Sequence, residues 1–116
     1  MGRTLTITID EEWRKSLESN ARRAMGGEVV GEILSFASAD LFFSKLTPGR
    51  LALLRQVQGK EALGVREMAR LVERDVRRVH DDIQILLELG LFEKTPDGKI
   101  ACPYDDIHLD MHLRAA

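Results

Sequence analysis

Three arginines, Arg74, Arg77 and Arg78, lie around the start of the most regular helical pattern in the chain, residues 76–89. Arginine can read the O6 and N7 atoms of guanine with two parallel hydrogen bonds, and it also pairs with phosphate. Such arginines are most often only a solvated helix surface. The elements around them must decide between the two interpretations.

A second group of side chains could bind a metal ion. His108, Asp110 and His112 alternate along the last apolar stretch, but neighbouring side chains on one face of a strand are about 7 Å apart. That spacing is wide for one ion, so we predict a polar strand face and no metal site. The sequence has no Ser/His/Asp order, no glycine-rich phosphate loop and no catalytic carboxylate pair. We therefore expect no enzymatic activity and no cofactor.

The elements between residues 47 and 104 have clear start and stop signals. Thr47 followed by Pro48 begins a helix that ends before Gly59, a short helix follows at 68–72, and residues 73–74 form a tight turn. Asp75 caps the helix 76–89, which stops at Gly90. Residues 91–94 and 99–102 then form two strands joined by a β-turn at 95–98.

Helical spacing divides the helix 76–89 into two faces. One face is apolar and consists of Val76, Val79, Ile83, Leu86 and Leu87. The other face is formed by Arg74, Arg77, Arg78, Asp81, Ile85 and Glu88, and His80 lies at the boundary. Asp81 would repel phosphate unless it pairs with Arg77 or Arg78, or accepts a hydrogen bond from a cytosine amino group.

Three helices followed by a hairpin form a winged helix-turn-helix, whose third helix can enter a major groove about 12 Å wide. The sequence therefore predicts an α+β protein in which this unit contacts double-stranded DNA. The residues that we expect to make the contacts are Thr47, Arg50, Arg66, Arg74, Arg77, Arg78, His80, Lys94 and Lys99.

The ends of the chain predict further elements. Residues 4–9 alternate as a strand, and a helix with one apolar stripe follows to about Met25. Ser38 caps a short apolar helix, and residues 107–113 form a closing strand. Exposed strand edges need partners, so we expect the two end strands to pair with each other or across a two-fold axis. The predicted dimer interface is Leu5, Ile7, Ile9, Trp13, Leu17, Leu109 and Met111. A two-fold axis would also present two recognition helices to successive major grooves, about 34 Å apart.

The overall composition sets the outer limits of this interpretation. The chain has 116 residues and a net charge of −2, and residues 47–104 contain ten basic and nine acidic residues. The single cysteine, Cys102, excludes an internal disulfide. Because no apolar run is long enough to cross a bilayer and no signal-peptide pattern is present, we expect a cytoplasmic protein without a membrane partner.

Several runs resemble a known group of regulators. They are LTPGRL (46–51), VREMARL (65–71), RDVRRVH (74–80) and LGL (89–91), flanked by LSFAS (34–38) and PYDDI (103–107). Together they resemble the MarR-like winged-helix regulators, and more narrowly the short predicted regulators that often serve as antitoxins. The basic residue usual in that family after the recognition-helix histidine is Asp81 here, and the usual turn glycine is Glu73.

The resemblance implies a homodimer that represses its own operon, sometimes with a toxin partner. The sequence thus predicts three regions: an N-terminal strand-helix arm (1–46), a DNA-binding winged helix-turn-helix (47–104) and a C-terminal strand (105–116). The alternative function is an antitoxin-type module that neutralises a toxin through its N-terminal region. A winged helix that makes only protein contacts also fits the near-neutral charge.

Overall fold

A computed structural model describes residues 2–9, 32–113 and 115 of the chain. Within these residues it is a small α+β protein with four helices, a three-stranded sheet and a separate two-stranded pair. The helix predicted between Asp10 and Met25, which contains Trp13 and Leu17, lies outside the described residues.

The described elements follow one another from strand to helix and back to strand. In chain order they are β1 (Arg3–Ile9), β2 (Glu32–Phe36), α1 (Ala39–Lys45), α2 (Pro48–Val57), α3 (Val65–Leu71), α4 (Val76–Glu88), β3 (Glu93–Lys94), β4 (Ile100–Ala101) and β5 (Tyr104–Met111). None of the described helices has the length and apolar composition required to cross a bilayer.

The chain folds into two compact units. The first comprises residues 1–44 and 106–116, and the second comprises residues 45–105. Sequence patterns predicted that residues 105–116 form a region of their own. In the structure, residues 106–116 belong to the same unit as the N-terminal residues.

The first unit contains the sheet, in the strand order β2-β1-β5. Strands β1 and β2 are parallel, with Leu5 opposite Glu32 and Ile9 opposite Phe36. Thr8 Oγ1 and Ser35 Oγ, on paired residues, are 2.8 Å apart and share a hydrogen bond. The prediction that the two end strands pair with each other is confirmed, because β1 and β5 are neighbours within one chain.

Burial within the single chain changes the predicted dimer interface. Leu5 and Ile7 are buried, and Ile9 is half-buried. Because Leu5 and Ile7 already pack inside one chain, their side chains offer no apolar surface to a second copy, which corrects their assignment to the interface. Leu109 is 46 % exposed and Met111 is half-buried, so these two residues keep accessible surface.

The short helix α1 begins as its sequence predicts. Ser38 Oγ accepts a hydrogen bond from the backbone N–H of Leu41 at 3.1 Å, which satisfies a free donor of the first turn. Phe42 is the buried residue of this helix. Its ring packs edge to face against the ring of Phe36 in β2, with the two ring centroids 5.4 Å apart. This aromatic pair anchors α1 to the sheet of the first unit.

The second unit is built from α2, α3 and α4, which pack against one another. Thr47 caps α2 by accepting from the N–H of Arg50 at 3.3 Å, and Asp75 caps α4 by accepting from the N–H of Arg78 at 3.3 Å. Both caps are as predicted. Helix α3 begins at Val65, three residues before the short helix 68–72 that the spacing predicts. Leu63, before this helix, forms an antiparallel bridge with Ile100.

Candidate nucleic-acid interface

Helix α4 buries a narrow apolar stripe along one side. Val79, Ile83 and Leu86 are fully buried, at positions spaced by four and three residues. Val76 was expected on this face but is exposed, because it lies in the first turn, before the stripe begins. Ile85 was expected on the free face but is half-buried. The stripe fixes which side of α4 faces outwards.

Two of the three arginines lie on that outer side. Arg77 and Arg78 are exposed in the first turn of α4. No ion pair engages either of them within the described part of the chain, and this includes the suggested pairing with Asp81. The Asp81 carboxylate, whose side chain is 73 % exposed, lies 3.7 Å from Nδ1 of the exposed His80 instead. Arg77 and Arg78 are therefore available to an anion.

Arg50 and Arg74 differ from the prediction. Arg50 Nε donates to Asp82 Oδ1 at 3.0 Å, and Arg74 Nη2 donates to Asp82 Oδ2 at 2.7 Å. The side chains of Arg50, Arg74 and Asp82 are 16 %, 32 % and 15 % exposed. We call these three residues the Asp82 cluster. The prediction that Arg74 projects from the free face of α4 is wrong, because its guanidinium group binds Asp82. Contact of Arg50 and Arg74 with DNA stays a prediction.

Arg74 was misplaced because it precedes the helix. It lies before the cap Asp75, so the helical angle assigned to it from the spacing of α4 has no meaning there. The turn that carries it contains Glu73 at φ = 55°, a left-handed conformation uncommon for residues other than glycine. The chain thereby directs Arg74 towards α2.

Gly49, in the first turn of α2, gives Arg74 room. A Cβ atom added to Gly49 would lie 3.2 Å from Arg74 Nη1. That nitrogen is buried and makes no hydrogen bond to any described residue. The guanidinium group therefore packs closely on the start of α2 while its other amino group binds Asp82.

Asp82 was not among the residues predicted from the sequence. One signal was available: Asp82 stands next to the buried Ile83, at the edge of the apolar stripe, where a carboxylate needs a partner. Spacing within one helix does not reveal that the partners come from α2 and from the turn before α4.

Two other residues were predicted to contact DNA from helix starts. Arg66 is exposed in α3. The hydroxyl of Thr47 accepts the hydrogen bond that caps α2.

A short antiparallel hairpin follows α4. Glu93 pairs with Ala101 and Lys94 pairs with Ile100. Both predicted strands are present but shorter than expected, with two residues each. Lys94 and Lys99 are exposed at the two ends of the connecting turn, so the hairpin presents two cations at its tip.

The hairpin turn is held by a local network. The backbone N–H of Gly98 donates to the carbonyl of Thr95 at 2.9 Å, and Gly98 has φ = 82°. The Thr95 hydroxyl donates to the Asp97 carboxylate, and this hydrogen bond lowers the pKa of Asp97. The Lys99 N–H in turn donates to Thr95 Oγ1 at 3.0 Å. The turn is thereby ordered between its two lysines.

Cys102, His108, Asp110 and His112 are the remaining residues that the sequence offered for other chemistry. Burial raises the pKa of the Cys102 thiol, which disfavours the reactive thiolate. His112 Nε2 and Asp110 Oδ1 are 3.5 Å apart. Across residues 2–9, 32–113 and 115, no three His, Cys, Asp or Glu side chains are grouped closely enough to hold a metal ion.

Comparison with known proteins adds one assignment. The profile of the HVO_A0114 family matches residues 45–109 of the chain. No curated protein and no solved structure matches it. The matched stretch covers α2, α3, α4, the hairpin and most of β5, and so contains the Asp82 cluster and the exposed arginines. This protein belongs to the HVO_A0114 family.

Proposed function

We propose that this protein is a homodimeric, cytoplasmic transcriptional regulator that binds double-stranded DNA through a winged helix-turn-helix at residues 47–104 and represses its own operon. The observation that carries the proposal is the pair Arg77 and Arg78, exposed in the first turn of α4 on the side away from the buried stripe. The N-terminal end of a recognition helix is the part that usually contacts base edges.

The neighbouring elements support this assignment of α4. Asp82, in the second turn of α4, binds Arg50 of α2 and Arg74 of the preceding turn, so the part of α4 that follows the two exposed arginines is tied to both. A hairpin with Lys94 and Lys99 at its tip follows at once and suits phosphate contact. Arg66 and His80, both exposed, would add contacts to the DNA backbone.

The resemblance of residues 33–113 to MarR-like regulators of the antitoxin-like group points to the same function. It also suggests repression, since such proteins commonly regulate their own operons. Asp81, exposed in the first half of α4, opposes phosphate. We therefore propose that base contacts come from the first turn of α4 and that affinity for DNA is modest for a single copy.

The experiment is a gel shift with the DNA duplex upstream of the protein's own reading frame, at low salt. The Arg77→Ala/Arg78→Ala variant should bind at least about 30-fold more weakly, because each arginine that reads a base contributes about 1–3 kcal/mol. Its thermal stability should be unchanged, since both side chains are exposed. Absence of a shift with the unmodified protein would refute DNA binding.

A matched control removes the same charge elsewhere. Arg55 and Lys60 are also exposed, and they lie at the end of α2 and beyond it. Gly49 and Arg50, in the first turn of α2, lie beside Arg74 and Asp82, whereas Arg55 and Lys60 follow at least five residues later in the chain. Arg55→Ala/Lys60→Ala should weaken binding only a few-fold, through net charge. Equal losses in the two double variants would contradict the proposed recognition face.

A second candidate function is the antitoxin-type module. It is supported by Leu41 and Phe43 of α1, large apolar side chains that are both exposed in the N-terminal region. Co-expression with the product of the neighbouring reading frame would test it. We expect Leu41→Ser/Phe43→Ser to abolish co-purification with that product while the gel shift persists. No co-purification with the unmodified protein would reject a toxin partner encoded beside it.

A further inference from the structure

The strand β5 lies at an edge of the three-stranded sheet. In the order β2-β1-β5, its one neighbour among the described strands is β1. An edge strand presents a row of backbone N–H and C=O groups that can pair with another chain. β5 has eight residues, long enough for such pairing.

The two faces of β5 differ in chemistry. Ile107, Leu109 and Met111 share one face because alternate residues point the same way. The opposite face carries Asp106, His108 and Asp110, followed by His112 just past the strand end. Leu109 is the most exposed large apolar side chain of the strand, at 46 %. The polar face thus alternates between carboxylate and imidazole.

We propose that β5 pairs antiparallel with β5 of a second copy, about a two-fold axis at Leu109. Leu109 then faces the partner's Leu109, and Ile107 faces the partner's Met111. On the polar face, His108 faces the partner's Asp110 and Asp106 faces the partner's His112. Each carboxylate of the polar face is placed opposite an imidazole, which can donate a hydrogen bond to it.

Other registers are less complementary. An axis at Ile107 also places Asp106 opposite the partner's His108, but it sets the charged Asp105 against the partner's Leu109 on the apolar face. An axis at Asp110 places two Asp110 carboxylates opposite each other, and an axis at His108 places Asp106 opposite the partner's Asp110. Like charges directly opposite each other are destabilising. An axis between two residues sets the apolar face of one strand against the polar face of the other. An axis at Met111 extends the pairing beyond the end of β5. The axis at Leu109 keeps residues 107–111 of both copies within the strand.

This inference deepens the homodimer part of the proposed function and rests on that part alone. The test is disulfide cross-linking of the full chain in a Cys102→Ser background, after circular dichroism confirms folding. Residues that face each other across paired strands have Cα atoms about 4.5–5.5 Å apart, within disulfide range. Leu109→Cys should therefore cross-link to its own copy under mild oxidation.

Matched cysteines at the same face define the register. Ile107→Cys and Met111→Cys should each stay monomeric on a non-reducing gel. In either variant the cysteines of the two copies are offset by four residues along the strands, which is about 13 Å. An equimolar mixture of these two variants should cross-link. Cross-linking of Met111→Cys with itself, or a folded Leu109→Cys that stays monomeric, would overturn the proposal.

A charge exchange tests the same register without cysteines. Asp110→Lys should weaken the dimer about tenfold in sedimentation, because the lysine that then faces the partner's His108 cannot accept a hydrogen bond from its imidazole. His108→Asp/Asp110→Lys sets an aspartate of one copy opposite a lysine of the other at both positions and should recover the dimer. Failure to recover would refute the axis at Leu109, as would a monomeric unmodified protein. A failed gel shift would leave the cross-linking result intact, so the two proposals fail separately.

Discussion

Loss of the negative charge of Asp82 should lower the free energy of unfolding, because two arginines share that carboxylate. Asp82→Asn keeps the shape of the side chain but removes its charge, and the new amide N–H₂ group faces one of the two guanidinium groups. Asp82 now accepts from Arg50 at 3.0 Å and from Arg74 at 2.7 Å, and all three side chains are at least two-thirds buried. The variant leaves two arginines close together without their shared anion.

The expected cost is about 3 kcal/mol of unfolding free energy. Each hydrogen bond to a charged group contributes about 1.5–3 kcal/mol, and we take the lower value twice because water still reaches Arg74. Loss of one partner from a buried ion pair costs about 3–5 kcal/mol. The lower limit of that range agrees with the sum of the two hydrogen bonds. For a chain of this length, 1 kcal/mol corresponds to about 4 °C. The melting temperature should therefore fall by about 12 °C.

The adjacent aspartate provides the control. Asp81 has the same charge and lies on the same helix, but it is 73 % exposed and has a single weak contact with His80. Asp81→Asn should change stability by less than about 0.5 kcal/mol. The assay is thermal and urea unfolding of both variants followed by circular dichroism. If the two variants melt within about 3 °C of each other, the structural role of the Asp82 cluster is refuted.

Gly49→Ala tests the same cluster from the opposite side. In an ordinary helix this change adds up to about 1 kcal/mol of stability. Here the added Cβ would lie 3.2 Å from Arg74 Nη1 and push the guanidinium group away from Asp82. We expect the gain to vanish in the unmodified protein and to reappear in the Asp82→Asn background. Additive effects would show that Gly49 and the cluster are not coupled.

Two further predictions concern turns. Glu73→Gly should stabilise the protein by about 0.5–1 kcal/mol in urea unfolding, because Glu73 has φ = 55°, a conformation that glycine adopts without steric cost. Glu73→Ala should give no such gain. Equal effects of the two variants would contradict a backbone cause. Thr95→Val removes the hydroxyl that holds the pKa of Asp97 low, so that pKa, followed by NMR titration, should rise towards its ordinary value. A lowered folded-state pKa stabilises the protein above the unfolded-state pKa, and this contribution is lost as the pH falls through the folded-state pKa. Thr95→Val should therefore flatten the dependence of stability on pH in this acidic range; an unchanged pKa of Asp97 would assign the shift to another group.

Local signals predicted much of the fold. The caps Thr47 and Asp75 and the stripe Val79, Ile83 and Leu86 depend on residues within a few positions of each other, and the structure confirms them. The predicted strand ends were less accurate. A strand ends where it loses its hydrogen-bonded neighbour, whereas the alternation of apolar residues in the sequence can continue beyond that point. The hairpin strands are accordingly shorter than their sequence pattern.

Side-chain roles that depend on distant partners were not accessible from the sequence. Arg50 and Arg74 are, like Arg77 and Arg78, arginines close to a helix start. Their direction is decided by the carboxylate of Asp82, which lies eight residues after Arg74 and 32 after Arg50. No spacing rule for a single helix contains that information. The sequence therefore predicted helix α4 correctly, and the directions of the arginines around its start only in part. That these residues contact DNA stays a prediction.

The Asp82 cluster also changes how the charge of residues 47–104 bears on DNA binding. That segment has ten basic and nine acidic residues, and the cluster removes two of the former and one of the latter from the outer surface. Eight of each remain, so a single copy has no general excess of positive charge to attract DNA. The proposed DNA binding therefore relies on the placement of a few cations, such as Arg77 and Arg78, and on the proposed pairing of two copies. Two linked binding units multiply modest affinities, and the pairing proposed for β5 would supply that linkage.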